Sequence, residues 1–384
     1  SAGVGIALAA RLDKLPYTTY VLMGDSESAE GSVWEAMEVA SYYKLGNLVA
    51  ILDINRLGQS RPTMLEWDLA KYRNRADAFG WEVHEVDGHD MEEICRVFEN
   101  LPAGSDRPQI VLAKTVKGKG VSFLEDKVEW HGIALSEEEL KAALFEMGVV
   151  DLKLKGKINI PIEVKVRPLS KMTSEVRFGL KVSMPVYKFG ELVATRKAYG
   201  ETIAALGEFD DRIVALDAET SNSTFSKVFR EKVPERYFEM FIAEQNMVGT
   251  ALGLARRGKI PFVSTFAVFF TRAYDQIRMS AISKGNIKFI GSHGGVSIGA
   301  DGPSQMGLED FSMFRAVFGS IVLCPSDANS TAKLVGEMAK TDGIVYLRTA
   351  RPATEVIYDG REVFKIGGSK ILRKSKKDKV TVVA

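Results

Sequence analysis

Two polar side chains follow two apolar segments of the sequence, and their types suit the binding of a divalent cation. Residues 18–24 form a continuous apolar run that ends before Asp25, and residues 47–55 form another that ends at Asn55. Such runs are typical of strands buried on both faces of a parallel sheet. The carboxyl ends of parallel strands meet at one edge, so we expect these side chains to lie together. Their oxygens, with the carbonyl of Leu57, are suitable ligands for Mg²⁺ or Ca²⁺.

The predicted metal ion would hold a diphosphate, because divalent cations bind phosphate oxygens in protein sites. A helix predicted to begin near Gly31 would direct its first N–H groups at the same anion. A more ordinary interpretation is that Asp25 caps a helix and Asn55 forms a turn. The two residues alone favour the ordinary interpretation.

Glu244 lies in a segment that is otherwise apolar or small, FIAEQNMVGTALGLA at 241–255. A carboxyl buried in such a helix is expected to have a raised pKa, as many catalytic acids do. The alternative is a glutamate on the solvent-exposed face of the helix.

Two further pairs of residues have types that can move protons or bind anions. His293 and Asp301 share the glycine-rich segment SHGGVSIGAD, and Lys117 precedes His131 in KGKGVSFLEDKVEWH. Imidazole and carboxyl groups can polarise a carbonyl or transfer a proton. The alternatives are ordinary turn chemistry for the first pair, and a solvated lysine with a buried structural histidine for the second.

Strand and helix patterns alternate along the chain, as in parallel-sheet α/β proteins. The first block has predicted strands at 18–24, 47–55 and 108–116, and predicted helices at 28–45 and 84–101. The second has predicted helices at 195–206, 243–255 and 271–283, and predicted strands at 212–219, 260–266, 286–293 and 319–327. The predicted fold class is α/β, with two doubly wound parallel-sheet domains.

The two blocks are separated by a segment with irregular periodicity and several prolines, which predicts a linker. We therefore divide the chain into a first domain at 1–150, a linker at 151–190, a second domain at 191–360 and the start of a third α/β domain at 361–384. A strand is predicted in KILRKSKKDKVTVVA at 370–384. The chain begins within small residues and ends in this strand pattern, so we expect it to be incomplete at both ends.

Composition excludes several classes of protein. The 384 residues are 46% hydrophobic and 26% charged, which excludes disorder or a coiled coil as a description of the whole. The net charge of +1 predicts neither nucleic acid nor an acidic membrane surface as a partner. No apolar run is long enough to span a bilayer. Two cysteines far apart give no disulfide framework, so the expected location is the cytoplasm.

Six blocks of sequence resemble transketolases in order and spacing. The blocks are GDSESAEGSVWEAMEVASYYKLGNLVAILDINRLGQS, KTVKGKGVSFLEDKVEWHG, IAEQNMVGTALG, STFAVFFTRAYDQIRMSAIS, GSHGGVSIGADGPSQMGLEDFSMFR and LRTARP. The chain is therefore identified as similar to the animal-type members of that family. The resemblance implies that both α/β domains bind thiamine diphosphate, one through its diphosphate and the other through its pyrimidine ring.

The resemblance also assigns roles to individual residues. Metal binding is implied for Asp25, Asn55 and the Leu57 carbonyl. Cofactor binding is implied for Ser26, Glu30, Asn55, Lys117, His131, Phe266, Phe269 and Gln305, with Phe269 stacked on the pyrimidine. Substrate binding is implied for His131, Arg196, Ser223, His293, Asp301 and Arg351, where the arginines suit phosphate groups. Catalytic roles are implied for Glu244, His131 and His293, with Glu244 hydrogen-bonded to the aminopyrimidine.

The implied activity is transfer of a two-carbon ketol unit from a ketose phosphate, such as xylulose 5-phosphate, to ribose 5-phosphate or erythrose 4-phosphate. This is a step of the pentose phosphate pathway. Thiamine diphosphate with Mg²⁺, or with Ca²⁺ or another divalent cation, is the implied cofactor. The implied assembly is a homodimer with active sites between the subunits.

Three alternatives remain beside this interpretation. A related enzyme such as 1-deoxyxylulose 5-phosphate synthase would keep the metal motif and the glutamate, but it is not expected to share the AEQNMV and HGGVSIGADGPSQ blocks. A plain dinucleotide-binding protein would need a GxGxxG motif after a strand, and the sequence has none. A catalytically impaired transketolase-like protein could act as a binding or regulatory partner.

Departures from the family pattern motivate the impaired alternative. Ser26 stands where the family usually has Gly, which lets the backbone approach a phosphate. Transketolases also carry active-site histidines upstream of the position that corresponds to Ser1. The segment INIPIEVKVRPLS at 158–170 does not resemble the usual linker.

Overall fold

The first of two parallel sheets lies within residues 19–114. The computed structural model describes residues 1–102, 104–148, 151, 153–156, 183–368, 371 and 373–381. The elements of the first part are α1 (Ala2–Leu12), β1 (Thr19–Gly24), α2 (Gly31–Tyr42), β2 (Leu48–Ile54), α3 (Leu69–Ala78), β3 (Glu82–Asp87), α4 (Met91–Glu99), β4 (Gln109–Lys114) and α5 (Glu137–Met147). The strand order is β1-β2-β4-β3, and every pairing is parallel.

The second sheet has six parallel strands. Its part of the chain contains β5 (Leu192–Ala194), α6 (Thr195–Phe209), β6 (Ile213–Asp217), α7 (Ser221–Thr224), α8 (Lys227–Lys232), β7 (Tyr237–Glu239), α9 (Glu244–Arg256), β8 (Ile260–Phe266), α10 (Tyr274–Ile282), β9 (Lys288–Ser292), α11 (Asp310–Arg315), β10 (Ile321–Leu323), α12 (Ala328–Lys340), β11 (Val345–Arg348) and β12 (Ala353–Glu355). The order is β10-β11-β9-β8-β6-β7, and β5 pairs with β12 in a separate antiparallel pair. The predicted fold class, two parallel-sheet α/β domains, is confirmed.

Several predicted elements need correction. Residues 84–101 were predicted as one helix, but they contain the end of β3 and then α4, separated by a turn at Gly88. The glycine-rich start of the chain is helix α1, and helices α3 and α12 had no predicted counterpart. In the segment after 360, the described residues lie outside both sheets. Its predicted strand is absent from the described residues 371 and 373–381, where no neighbouring strand supplies hydrogen bonds.

The predicted domain boundaries stay a prediction. Residues 157–182, which include most of the predicted linker, lie outside the described residues. No helix in the described ranges has the length and apolar character needed to cross a lipid bilayer.

Helices α1 and α9 pack with their backbones in contact, which joins the two sheets. A Cβ built at Gly5 would lie 2.0 Å from the Thr250 carbonyl oxygen, and one at Gly253 would lie 2.1 Å from the Ala2 carbonyl oxygen. The main apolar core continues across this contact, from Leu52 of the first sheet to Phe289 of the second. Because α9 begins at Glu244, this packing also places that carboxyl.

The chain enters and leaves the second sheet's domain at one point. The Asn329 side chain accepts a hydrogen bond from the Tyr187 N–H at 3.0 Å and donates to the carbonyls of Tyr187 and Tyr358 at 3.0 and 2.8 Å. The buried Asp327 carboxylate caps α12 through Ser330 and accepts the N–H groups of Ile357 and Tyr358 at 2.9 Å.

Substituting Gly5 with Ala is expected to destabilise the protein by about 1–3 kcal/mol, because the new methyl group meets backbone that cannot move alone. Urea unfolding followed by circular dichroism measures the change. Gly31→Ala is the control, since nothing lies within 4 Å of a Cβ at that position. Equal stability of Gly5→Ala and the parent chain would contradict the close packing of α1 against α9.

Candidate functional site

Asp25 and the residues after β2 lie together at the carboxyl edge of the first sheet. The buried Asp25 carboxylate accepts the Arg56 N–H at 2.8 Å and the Thr63 hydroxyl at 2.9 Å. Arg56 has a positive φ of 62°, which turns the chain after Asn55 so that its N–H faces Asp25. Burial raises the pKa of Asp25, and hydrogen bonds from Thr63 and Arg56 partly offset that rise.

The predicted metal ligands are on adjacent segments of this edge. Asn55 accepts the Leu57 N–H at 3.1 Å through its amide oxygen, and its amide nitrogen donates to Asp53 at 3.2 Å. Within the described residues, no three His, Cys, Asp or Glu side chains form a cluster that could hold a metal ion. The predicted set needs only one such side chain, because an amide oxygen and a backbone carbonyl are also good ligands for hard cations.

The turn between β1 and α2 carries Ser26 and Glu30, and both side chains are exposed. Ser26 has no positive φ, so the serine side chain fits the local backbone without strain. Glu30 caps α2, because its carboxylate accepts the Ser32 N–H at 3.3 Å. We expected the first N–H groups of α2 to be directed at an anion. For the Ser32 N–H group this expectation is wrong, because Glu30 already accepts its hydrogen bond.

Lys117 and His131 contact each other beside the same edge. The Lys117 ammonium donates to Nδ1 of His131 at 3.0 Å, which places the histidine proton on Nε2. Lys117 also lines a cleft of about 520 Å³ together with Asp53 and Asn55. The structure therefore brings four predicted residues, Asp25, Asn55, Lys117 and His131, to one sheet edge.

Glu244 begins α9 and is 4% exposed. Its Oε2 atom is buried without a hydrogen-bond partner, and Nε of Arg272 lies 3.6 Å away. Burial raises the pKa of Glu244, the Arg272 charge opposes the rise, and the nearby Glu35 adds to it. The predicted raised pKa agrees with this placement, and the alternative of a solvent-exposed helix glutamate is wrong.

Three aromatic rings are stacked at the carboxyl edge of the second sheet. The Phe266 ring lies parallel to the His293 ring, with centroids 4.0 Å apart, and to the Phe269 ring at 5.0 Å. Phe269 is the partly exposed end of this stack. Gln305 lies on the turn Pro303–Gln305, which packs against the turn Val268–Ala273 that carries Phe269.

The predicted phosphate-binding residues form one cluster around two arginines. Arg196 donates to the Ser223 carbonyl at 2.8 Å and to the Arg351 carbonyl at 3.2 Å. Arg351 forms an ion pair with Asp301 at 2.8 Å. Both guanidinium groups are partly exposed, so each can reach a ligand. The five predicted substrate residues of the second domain therefore lie together: Arg196, Ser223, His293, Asp301 and Arg351.

His293 is held in its neutral form. Burial, followed by the charges of Arg196 and Arg351, lowers the pKa of His293 to about 4, and Asp301 only partly opposes this. Its Nδ1 shares a hydrogen bond with the Ser292 hydroxyl at 2.9 Å. The residue has a positive φ of 58°, which turns the ring onto Phe266 at the end of β9.

Comparisons with known proteins identify the family to which both parallel-sheet parts of the chain are similar. The family model "Transketolase, thiamine diphosphate binding domain" matches residues 10–173, and "Transketolase, pyrimidine binding domain" matches residues 191–356. Together they cover most of the chain. The chain belongs to the transketolase family.

Similar relatives extend over the whole chain but are longer than it. Human transketolase is 49% identical over 384 residues, covering 100% of this chain and 60% of the relative. Transketolase-like protein 2 of Mus musculus is 48% identical over 386 residues, with the same coverage of 100% and 60%. A transketolase structure from Campylobacter jejuni has a TM-score of 0.77 at 26% identity, covering 92% of this chain and 60% of that one. The chain thus spans about 60% of the length of these relatives.

Sequence patterns missed some residues of this transketolase-family site. Glu35 of α2 accepts the Asn246 N–H at 3.1 Å and lies 3.8 Å from Arg272, so two acids face one guanidinium. The amphipathic pattern of α2 does not distinguish Glu35 from a surface glutamate. Asp217 was also missed. It is the last residue of a buried strand, and Asp25 directly follows another, so the same sequence signal was available for both.

The two groups of site residues remain separate within one chain. In the described residues, the hydrogen bonds, ion pairs and ring contacts around Asp25 do not join those around Arg196. Helix α2 lies between them: it begins at Gly31, just after the turn that carries Asp25, and its Glu35 contacts the N-terminus of α9.

We expect the imidazole of His293 to titrate near pH 4. Because its pKa in the unfolded chain is near 6.5, the unfolded state binds the proton first, and the folded state loses stability as the pH falls from 6.5 towards 4. NMR titration measures the pKa, with His293→Asn identifying the signal among four histidines. Arg351→Met should raise this pKa; an unchanged value would contradict the electrostatic contribution of Arg351.

Proposed function

We propose that this protein is a transketolase, which transfers a two-carbon ketol unit from a ketose phosphate such as xylulose 5-phosphate to an aldose phosphate. The observation that carries the proposal is the Oε2 atom of Glu244, a buried carboxyl oxygen without a hydrogen-bond partner. Nε of Arg272 lies 3.6 Å away, beyond hydrogen-bond distance, so this oxygen can still accept a hydrogen bond from a ligand. A ring nitrogen of a bound cofactor is a suitable partner.

The residues at the first sheet edge fit a metal-bound diphosphate. Asp25 supplies one charged oxygen, and Asn55 and Leu57 supply neutral oxygens, which suits Mg²⁺ or Ca²⁺. Lys117 lines a cleft together with Asn55, and its positive charge suits an anion there. We therefore assign thiamine diphosphate and a divalent cation to this edge.

When bound, thiamine diphosphate supplies a nucleophilic carbon and an electron sink for cleavage of a carbon–carbon bond. Burial raises the pKa of Glu244, and its Oε2 atom, which has no hydrogen-bond partner, would exchange a proton with a ring nitrogen of the bound cofactor. Phe269 offers a partly exposed ring face for stacking. The neutral imidazole of His293 can exchange a proton with a substrate hydroxyl or carbonyl near neutral pH.

Arg196 and Arg351 are assigned to the phosphate group of the sugar. Guanidinium groups bind phosphate through paired, charge-assisted hydrogen bonds. Asp301, which already pairs with Arg351, can accept a hydrogen bond from a sugar hydroxyl. This arrangement favours phosphorylated sugars over free sugars.

A homodimer is part of the proposal, because the contacts of the described residues around Asp25 do not join those around Arg196 within one chain. Exposed apolar side chains lie near the second group, on α10 and on the segments after β9, and they suit a contact between subunits. These side chains are Met279, Ile282, Val296 and Leu308.

A second candidate is a thiamine diphosphate-family protein without turnover that acts as a binding or regulatory partner. Two observations favour it: Glu30 already occupies an N–H group at the start of α2, and Ser26 presents a side chain on the exposed turn beside Asp25.

Calorimetric titration of thiamine diphosphate with Mg²⁺ tests the cofactor assignment. We expect binding by the parent chain and its loss in Asp25→Ala, because that variant removes the only charged ligand of the predicted metal set. Asp13→Asn, whose carboxylate pairs with Lys259 outside the site, is the matched control. Equal binding by Asp25→Ala and the parent would contradict the site at the first sheet edge.

Glu244→Gln tests the catalytic assignment. The amide can still occupy the cavity but cannot hold the same proton, so two-carbon transfer from xylulose 5-phosphate to ribose 5-phosphate should fall by about 10²–10⁴-fold. Cofactor binding by the same calorimetry should persist. Full transfer activity in Glu244→Gln would contradict the role of this residue, and binding without transfer in the parent would favour the second candidate.

Ser26→Gly tests the effect of the side chain next to Asp25. Glycine removes a Cβ and a hydroxyl from the turn, so a diphosphate can approach the backbone more closely. We expect tighter binding of thiamine diphosphate in this variant than in the parent. Unchanged or weaker affinity would show that Ser26 does not oppose the cofactor.

A further inference from the structure

Asp217 is a buried acid for which the proposed reaction has no direct use. It ends β6 and is fully buried. Oδ1 accepts the Thr220 N–H at 2.6 Å and the Thr220 hydroxyl at 2.9 Å. Oδ2 accepts the hydroxyls of Thr224 and Ser226 at 2.6 and 2.8 Å. All four donors belong to the segment that follows the strand.

The last two bonds flank a residue in a strained backbone conformation. Phe225, between Thr224 and Ser226, has a positive φ of 65°, which is unfavourable for a bulky side chain. Such conformations persist where surrounding contacts fix them. Hydrogen bonds to one carboxylate oxygen from both neighbours of Phe225 are contacts of this kind.

The same segment holds the guanidinium of Arg196. The Phe225 ring lies 5.2 Å from the Arg196 guanidinium carbon, and the Ser223 carbonyl accepts an Arg196 hydrogen bond at 2.8 Å. On the other side, a Cβ at Gly200 would lie 2.3 Å from the Phe225 carbonyl oxygen, so α6 fixes the segment from behind. The contacts of Asp217 therefore reach Arg196 through one short segment.

We propose that Asp217 is a positioning residue for phosphate recognition: its carboxylate fixes the segment Thr220–Ser226, and this segment aims Arg196 at the phosphate group of the sugar substrate. The inference rests on the proposed function, because it deepens the assignment of Arg196 to a sugar phosphate. Asp217 itself does not touch the ligand.

The charge state of Asp217 is consistent with this role. Burial raises its pKa to about 6, while the hydrogen bonds from Thr224, Ser226 and Thr220 oppose the rise. The carboxyl is therefore ionised at neutral pH, and both oxygens can accept hydrogen bonds.

Asp327 provides a closely matched control. It too is fully buried and accepts four hydrogen bonds, from the Ser330 N–H and hydroxyl and from the N–H groups of Ile357 and Tyr358. Its bonds hold α12 and the end of the second sheet's domain, and none reaches the segment at Arg196. A general loss of stability should therefore appear in both Asn variants.

The test measures binding of ribose 5-phosphate and of ribose to the parent chain, Asp217→Asn, Asp327→Asn and Arg196→Met by calorimetry. We expect Asp217→Asn to weaken ribose 5-phosphate binding by about tenfold or more, in keeping with the loss of one well-placed charge-assisted contact. Ribose binding should change little. Asp327→Asn should lower the urea midpoint while leaving the affinity for ribose 5-phosphate unchanged.

The double variant Arg196→Met with Asp217→Asn separates positioning from a merely structural role. If Asp217 acts through Arg196, the double variant binds ribose 5-phosphate no more weakly than Arg196→Met alone. Additive losses would overturn the proposal. Should Asp217→Asn fail to fold, Thr224→Val and Ser226→Ala each remove one donor, and each should selectively weaken binding of the phosphorylated sugar.

The two proposals fail in different ways. If the parent chain binds ribose 5-phosphate but transfers no two-carbon unit, the proposed transketolase activity is overturned. The inference on Asp217 is then decided by the binding data alone. Equal affinities of the parent and Asp217→Asn for ribose 5-phosphate would overturn the inference while transfer activity remains. The inference on Asp217 would also be overturned if the parent chain bound ribose 5-phosphate no more tightly than ribose.

Discussion

The contact between the backbones of α1 and α9 is the constraint on which the rest of the molecule depends. Two helices approach this closely only where neither carries a side chain at the crossing, and Gly5 and Gly253 meet that condition. The crossing joins two sheets that would otherwise have separate cores, and apolar packing continues from one to the other. It also fixes the start of α9, so the position of Glu244 depends on packing at Gly253, further along the same helix. The chemistry at the sheet edges therefore relies on two glycines that take no part in it.

Buried acids organise both sheet edges in the same way. Asp25 and Asp217 each follow or end a buried strand, and each gathers the segment beyond the strand through hydrogen bonds to one carboxylate. Glu244 differs, because one of its oxygens has no hydrogen-bond partner within the described residues. A buried carboxyl is stabilised by the bonds it accepts. Asp217, with both oxygens bonded by the segment after its strand, shapes the protein, whereas Glu244 can accept a further bond from a ligand. Asp25 combines the two roles, because it holds the turn after β2 and is also assigned to the metal ion.

The sequence predicted the parallel sheets and the positions of the long strands because buried strands such as β8 are continuous apolar runs with clear ends. The prediction of secondary structure failed at residues 84–101, where a strand pattern is followed directly by a helix pattern. It also failed at α1, because glycines make its helical pattern hard to recognise. Site residues that end strands, such as Asp25 and His293, were accessible to pattern and to resemblance. Glu35 and Arg272 were not, because their role arises from a contact between α2 and the start of α9, and no local pattern records a contact between distant segments. The N–H group bonded by Glu30 was mispredicted for a related reason: an acidic residue before a helix can cap it as well as border a ligand.

The bonds of Asn329 to Tyr187 and Tyr358, together with the pairing of β5 and β12, bring the entry and exit of the second domain side by side. These contacts close residues 187–358 into a loop whose two ends are bonded to each other. Because its two ends lie close together, a unit of this kind can be joined to other chains without crossing its own sheet. Tension along the polypeptide would act first on the short antiparallel pair β5–β12 and on the Asn329 bonds. These contacts would break before the tension reached the six-stranded sheet.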